Sequence, residues 1–382
     1  MKILIVSEFF PAGDELRFSG GVEARNFFVA RALAKKHDVT VLSSRMKAGE
    51  DTTQMHGFTV RYAGPARPYA ATTGSPVERV RFIGDAIKVG ARTDFDLIEG
   101  TNFLTHFVAR RVARVKKRAA VAWYPDVWIG EWIAHAGVAT GLAGETLERL
   151  NLGLPGFRRY IAISEQTKRK LAKHTKQPID LIYCGVDDAP LEGVTKAADP
   201  TLICVARFVK YKNHAFLLRA FARAKERVPN ARLVLIGSGP ERQAIEALAR
   251  TLGVFERVSI LSEIGRGELL RQLAAAHVFS LASLVEGFGI ATIEAARQGL
   301  PYVATDLDVH KEVLKGRGGF LVSPSDEAAF AEKIAALLGD ADLRAAKSRD
   351  ASALAATYDW GAIAAQTEVC FEQALSDFAR SR

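Results

Sequence analysis

Glu286 and Glu294 stand eight positions apart, separated by the turn Gly287-Phe288-Gly289 and a helix-forming run that opens at Ile290. Upstream, HVFSLASL (His277 to Leu284) is an apolar run of strand character. The order strand, glycine turn, helix puts the turn at the carboxyl end of a strand, where open α/β sheets bind ligands. Free amides at the start of a helix favour an anion such as a diphosphate. A carboxylate repels phosphate, so Glu286 in the loop and Glu294 about one turn into the helix suit hydroxyl donors instead. Phosphate on the amides and hydroxyls on the acids together describe a nucleotide-sugar. Two glutamates so spaced also describe ordinary solvated or helix-capping groups, and the rest of the chain must decide.

Arg207 ends the run TLICVAR, and Lys212 follows five residues later, just before a helical pattern. Both cations project from one strand-to-helix loop, where Arg offers a planar fork and Lys a compact charge to a leaving diphosphate. The same residues also read as solvated loop charges. Gly237 opens GSGP at the end of RLVLIGS, a small turn that either brings backbone close to a ligand or simply leaves the strand. It lacks the third spaced glycine of a dinucleotide fingerprint, and no Walker lysine follows, so nicotinamide and kinase readings lose support. In the first half Gly20 and Gly21 precede a helix whose amides can meet phosphate, or form a flexible loop end. WYPDVWIGEW (Trp123 to Trp132) gathers three of the four Trp beside Asp126 and Glu131. Asp126, Trp128 and Glu131 there suit a carbohydrate or apolar acceptor, although burial is the commoner fate of Trp. His106 and His135 lie nearby, each read as an ordinary core or surface group.

The elements that must hold these residues alternate along the whole chain. Apolar runs KILIVSE, DVTVLSS, FTVRYA, DLIEGT, AAVAWYP, YIAIS and DLIYCGV mark the first half; TLICVAR, RLVLIGS, RVSILS, VFSLAS, YVAT and GFLVS mark the second. Between them run amphipathic segments, as in VEARNFFVARALAKK, where Val22, Phe27, Val29, Ala30 and Leu33 can face a sheet. Such alternation predicts doubly wound parallel sheets with helices on both faces, hence an α/β fold of two Rossmann-like domains. At 382 residues the chain is long enough for both. The polar, turn-rich stretch that ends at Pro200 breaks the pattern, giving domains at 1–187 and 201–358 with a linker at 188–200.

Composition is that of a globular protein, 48% hydrophobic and 25% charged. No apolar run approaches the ~20 residues needed to cross a bilayer. MKILIVSEFF reads as a buried first strand rather than a signal sequence. Cys184, Cys204 and Cys370 are too scattered for a disulfide framework or a metal site. A cytoplasmic protein is expected, with the inner face of the cell membrane as a second address. The net charge of +9 concentrates in residues 1–190, with 28 Lys/Arg against 20 Asp/Glu. RRVARVKKR (Arg110 to Arg118) reads as one helix with a basic face of Arg110, Arg114, Lys117 and Arg118. That face is either solvated or docks on anionic lipid or an acidic acceptor. No aromatic residues interleave it, so nucleic acid is not an expected partner.

The chain resembles the retaining glycosyltransferases of family four, the glycogen-synthase-like and mannosyltransferase-like enzymes of the GT-B fold. The resemblance rests on SGGVEARNFFVARALAKKHDVTVLS, YIAISEQTKRKL, IYCGVD, VARFVKYKN, LVLIGSGPE, LASLVEGFGIATIEAARQGLPYV, GGFLVSPSD and YDWGAIAAQTEVCFEQAL. It implies two domains facing across a cleft, an acceptor-binding one and a nucleotide-sugar-binding one, with a terminal helix (359–382) returning to the first. It implies that Arg207 and Lys212 bind the donor diphosphate, that Glu286 contacts the transferred sugar and that Glu294 holds the ribose. It implies further that Phe288, Gly289 and Ile290 line the sugar, that Gly21 lies near the phosphates, and that no metal or other cofactor is required. Two departures stand out. Pro125-Asp126 replaces a His-acid pair on the acceptor side, and Cys184 precedes Gly185 where relatives have Asn.

The expected activity is transfer of a sugar from a UDP- or GDP-sugar to a hydroxyl acceptor, lipid-linked, anionic or small, with retention. An epimerase on the same fold and a non-catalytic sugar-nucleotide-binding subunit are the rivals.

Overall fold

A computed structural model describes residues 1–11, 16–18, 20–46, 49–67, 75–186 and 189–381, without the side chains of 135 and 136. The chain divides into two compact units. The first comprises Met1–Gly13, Gly21–Cys184 and Trp360–Arg382. The second comprises Gly185–Asp359 and, unforeseen from the sequence, the described residues of 14–20.

The first unit is built on one sheet of β1 (Lys2–Val6), β2 (Asp38–Ser44), β3 (Thr52–Met55), β4 (Phe58–Ala63), β5 (Leu97–Gly100), β6 (Ala119–Tyr124), β7 (Arg159–Ala162) and β8 (Ile179–Leu181). Its order is β3-β4-β2-β1-β5-β6-β7-β8. Every pairing is parallel except β3 with β4. Strand β3 escaped the reading because TTQM is polar and only half buried. It is held by a tight turn at His56 and Gly57, whose positive φ values of 46° and 87° fit a hairpin turn. The helices are α1 (Gly21–Leu33), α2 (Pro76–Arg92), α3 (Phe103–Lys116), α4 (Trp132–Ala136), α5 (Val138–Gly153) and α6 (Glu165–Ala172).

Phe27, Val29, Ala30 and Leu33 of α1 are buried as the periodicity predicts, and Val22 partly so. The opposite side of α1 is covered as well, because α14 (Trp360–Arg380) packs on it and Trp360 stacks on Phe28 at 5.4 Å. The terminal helix thus returns to the first unit, as the resemblance implies.

Two readings are corrected here. DLIYCGV is a strand only to Leu181; the rest is irregular, and Val186 bridges Asp359 in the second unit. The basic run 110–118 is not one helix. α3 stops at Lys116, Lys117 turns left-handed as its cap, and Arg118 leads into β6. Arg110 is half buried against Phe107, which leaves Arg111, Arg114, Lys117 and Arg118 exposed.

The second unit holds β9 (Thr201–Val205), β10 (Arg232–Ile236), β11 (Val258–Leu261), β12 (Val278–Leu281), β13 (Tyr302–Thr305) and β14 (Gly319–Val322). All pair in parallel, in the order β11-β10-β9-β12-β13-β14. Its helices are α7 (His214–Arg227), α8 (Arg242–Thr251), α9 (Arg266–Ala275), α10 (Ile290–Arg297), α11 (Asp308–Leu314), α12 (Glu327–Gly339) and α13 (Ala341–Ala355). Each strand expected from the second half is present. The first strand of the unit, β9, lies between β10 and β12, so the chain reverses its direction of travel there. A crevice at the strand ends is the consequence of that reversal.

Candidate functional site

The loops after β9 and β12 carry the expected chemistry of the second unit. After β9 the chain passes Arg207 and makes a short 3-10 turn at Lys210–Lys212 before α7 begins. After β12 it passes Ser283 and Glu286, then turns at Gly289 into α10. Leu284 N donates to Tyr211 O at 2.8 Å, which ties the two loops together. Lys212 Nζ donates to Glu286 Oε1 in an ion pair, and Ser283 Oγ donates to the same oxygen at 2.8 Å. Arg207 Nη2 donates to Tyr211 Oη, and Tyr211 presents its ring to Lys212 as well.

Burial pushes the Glu286 carboxyl up. The charges of Lys212 and His310, with hydrogen bonds from Lys212 and Ser283, outweigh that and hold it below the ordinary value. A charged acceptor is therefore maintained in a nearly closed environment. Gly289 adopts a φ of 83°, and a Cβ there would lie 3.2 Å from His310 Nε2, so both backbone and space require glycine. Phe288 packs edge-on against Tyr358 and is buried. Ile290 begins α10 and stays partly exposed. Glu294 accepts from Arg266 in an ion pair at 2.7 Å, and Arg266 N in turn donates to Leu16 O.

Gly237 meets backbone rather than open space. A Cβ there would lie 2.0 Å from Ala206 O, so the GSGP turn is packed against the loop that carries Arg207. Tyr211, Ser283, His310 and Arg266 were not singled out from the sequence. Tyr211 lies beside Lys212, already noticed; the other three give no local signal. A surface cavity of about 490 Å³ at Arg219, Arg223 and Leu252 contains none of the residues singled out.

In the first unit Gly21 opens α1 and is exposed. Asp126, Trp128 and Glu131 follow β6 and are drawn together by α5 and α6. Lys170 Nζ donates to Asp126 Oδ1 at 3.2 Å and lies 3.3 Å from Glu131 Oε1. Burial pushes the Asp126 carboxyl up, against the pull of Lys170. Glu148 of α5 accepts from Trp128 N at 3.2 Å and from Trp132 Nε1 at 2.6 Å, which fixes the tryptophan segment. Burial raises Glu148 to about 7. This residue was also missed, since an acid on a Gly- and Leu-rich helix carries no pattern. His106 is buried with Nε2 on Trp123 O at 2.9 Å, and burial lowers it to about 4. The side chain of His135 lies outside the described residues.

Residues 192–353 match the family described as "Glycosyl transferases group 1", and residues 19–189 match "Glycosyltransferase Family 4". The chain is 35% identical over 149 residues to a GDP-mannose-dependent alpha-(1-6)-phosphatidylinositol monomannoside mannosyltransferase of Mycolicibacterium smegmatis, covering 37% of this chain and 39% of that protein. It is 37% identical over 164 residues to a D-inositol 3-phosphate glycosyltransferase of Corynebacterium urealyticum, covering 41% and 39%. The matched region thus spans about two-fifths of the length of these curated relatives.

Among solved structures, sucrose-phosphate synthase from Thermosynechococcus elongatus superposes with a TM-score of 0.84 at 20% identity, over 98% of this chain and 99% of that one. Anabaena HepE in complex with UDP-glucose superposes with a TM-score of 0.76 at 19% identity, over 98% and 100%. At such identities the likeness carries the fold alone. With both halves matched in sequence and the whole matched in fold, the chain belongs to the family-four glycosyltransferases of the GT-B fold.

Proposed function

We propose that this chain transfers a sugar from a nucleoside diphosphate to a hydroxyl acceptor, with retention at the anomeric carbon and without a metal. The observation that carries the reading is the Lys212–Glu286 pair, set where β9 and β12 end and flanked by Arg207. A charged Glu286 accepts hydrogen bonds from hydroxyls of the donor sugar. Lys212 has three donors, so it can keep Glu286 while also meeting a phosphate oxygen, and Arg207 supplies a planar fork for the diphosphate. These two fixed cations take the charge that develops on the leaving group.

No side chain is assigned as a covalent nucleophile. In the proposed step the anomeric C–O bond to phosphate breaks, and the acceptor oxygen bonds to the same face. The hydroxyl proton passes to the departing phosphate oxygen. Gly21, Gly237, Phe288, Gly289, Ile290 and Glu294 are assigned to donor binding, with Arg266 sharing Glu294. Asp126, Trp128 and Glu131 are assigned to the acceptor. Among relatives, the names GDP-mannose-dependent mannosyltransferase and HepE with UDP-glucose support a GDP- or UDP-sugar donor.

No helix of the described residues is long and apolar enough to cross a membrane. The exposed Arg111, Arg114, Lys117 and Arg118 support a cytoplasmic enzyme that touches an anionic membrane surface and a lipid-linked or anionic acceptor. Pro125, in place of a histidine, supports the second reading of a subunit that binds the donor without transferring it.

Thermal unfolding against UDP, GDP, ADP, CMP and their sugar conjugates tests the reading. A ligand at ~100 times its dissociation constant stabilises by about 2.7 kcal/mol. The expected outcome is a raised midpoint with one nucleoside diphosphate and its sugar. No shift with any of them would remove the donor assignment.

A further inference from the structure

Arg67 is 2% exposed, yet among the described residues nothing pairs with its Nε or Nη1. Only Nη2 is engaged, donating to Ser44 Oγ at 2.7 Å and to Glu8 Oε1 at 3.2 Å. Glu8, itself 6% exposed, also faces Arg79 of α2, whose Nε lies 3.5 Å from the same oxygen. Asn102 Nδ2 approaches the other carboxylate oxygen at 3.5 Å. Two guanidiniums therefore share one carboxylate in a nearly closed place. The Arg67 guanidinium lies 4.7 Å from the centre of the Phe9 ring and 5.4 Å from that of Phe82.

Leaving a buried cation half unpaired is unfavourable unless something completes it. Burial pushes the Glu8 carboxyl up, against the pull of Arg79 and Arg67.

The location is that of a ligand site. Glu8 follows β1, Ser44 ends β2, Arg67 follows β4 and Asn102 follows β5, all at the carboxyl ends of parallel strands. The chain reverses its direction of travel between β1 and β5, the position where open α/β sheets bind ligands. Guanidinium forks match phosphoryl oxygens two at a time.

We propose that Arg67 and Arg79 bind a phosphoryl group of the sugar acceptor, Arg67 from beneath and the more exposed Arg79 from the rim. This rests on the transferase reading, but it concerns the first unit alone and can fail separately from it. The phosphoryl group belongs either to a soluble sugar phosphate or to a phospholipid headgroup.

The test compares wild type with Arg79→Gln, a partly exposed position that folding tolerates, and with Arg67→Lys, which keeps a charge. Calorimetric titrations use inorganic phosphate and glucose 6-phosphate at constant ionic strength; co-sedimentation uses phosphatidylcholine vesicles with and without phosphatidylinositol. Arg207→Gln controls for phosphate at the donor loops, and UDP is titrated into every variant. The expected result is phosphate or phosphatidylinositol binding that weakens at least tenfold in Arg79→Gln, weakens in Arg67→Lys and persists in Arg207→Gln, with UDP affinity unchanged in Arg79→Gln and Arg67→Lys and reduced in Arg207→Gln. Loss in the soluble arm assigns a sugar phosphate, and loss in the vesicle arm alone assigns a lipid headgroup. Absence of binding in both arms, equal binding in Arg79→Gln, or loss with Arg207→Gln instead overturns the proposal. UDP binding that survives any of these leaves the transferase reading intact.

Discussion

Lys212 divides one positive charge between a carboxylate it already holds and a phosphate it is proposed to meet, and Glu286 depends on that division. Its carboxyl sits below the ordinary value only because Lys212, His310 and Ser283 offset the burial that pushes it up. Removing the carboxylate by Glu286→Ala leaves Lys212 and Ser283 without their acceptor and the sugar hydroxyls without theirs. Hydrogen bonds to charged groups contribute about 1.5–3 kcal/mol each, so kcat/KM is expected to fall roughly a hundredfold. Lys212→Arg keeps the charge and is expected to cost less than tenfold. Steady-state rates of both variants, measured with the donor found by thermal shift, decide the matter; wild-type turnover in Glu286→Ala would sink its role. At this scale the sequence showed Arg207, Lys212, Glu286 and Glu294, because their types and spacing around glycine turns are local. It did not show His310 or Arg266, which reach the site from other elements and enter through packing alone.

Elements were legible wherever burial imposed a period. Every strand of the second unit announces itself as an apolar run, most plainly the central parallel strands, which are covered on both faces. β3 did not, since a polar edge strand is held by a hairpin turn rather than by a core. The basic run 110–118 misled for a related reason: charge shows no end to a helix, whereas the left-handed Lys117 does. Helix α7 carries a consequence that no pattern revealed. Its first residue, His214, is buried edge-on against Phe208 at 5.0 Å, and burial, aided by the charge of Lys212, lowers it to about 4. An unfolded chain takes up the proton near 6.5, while the folded one resists until about 4. The stabilising effect of the neutral ring is therefore complete above about 6.5 and lost as pH falls toward 4. That difference amounts to about 3 kcal/mol. His214→Phe keeps the apolar contact and removes the proton site. It is expected to flatten the acid side of the stability profile, read as denaturant midpoints between pH 7 and pH 4.5. Parallel acid limbs in variant and wild type would mean that His214 takes up its proton in the folded state without cost.

For the molecule as a whole, the chain path sets which unit feels a change. The terminal helix α14 is distant in sequence from the first 184 residues, yet it belongs to their unit. Trp360 stacks on Phe28, Glu368 pairs with His37 at 2.9 Å, and Asp377 pairs with Arg159 at 3.1 Å. Phe371, at its centre, is fully buried. Truncating a buried Phe to Ala costs about 3–5 kcal/mol through lost transfer energy and the cavity left behind. Phe371→Ala should therefore weaken the first unit, although the substitution lies in the last part of the sequence. The residues assigned to the nucleotide, Arg207, Lys212, Glu286 and Glu294, all belong to the second unit. Calorimetric scans of the variant with and without the nucleoside diphosphate are expected to separate the two effects. The midpoint without ligand falls, whereas the dissociation constant for the nucleotide, titrated well below that midpoint, stays within a factor of two of wild type. A nucleotide affinity that falls in step with the lost stability would mean that the two units fold as one cooperative body, and that the terminal helix supports the donor loops as well as the sheet it covers.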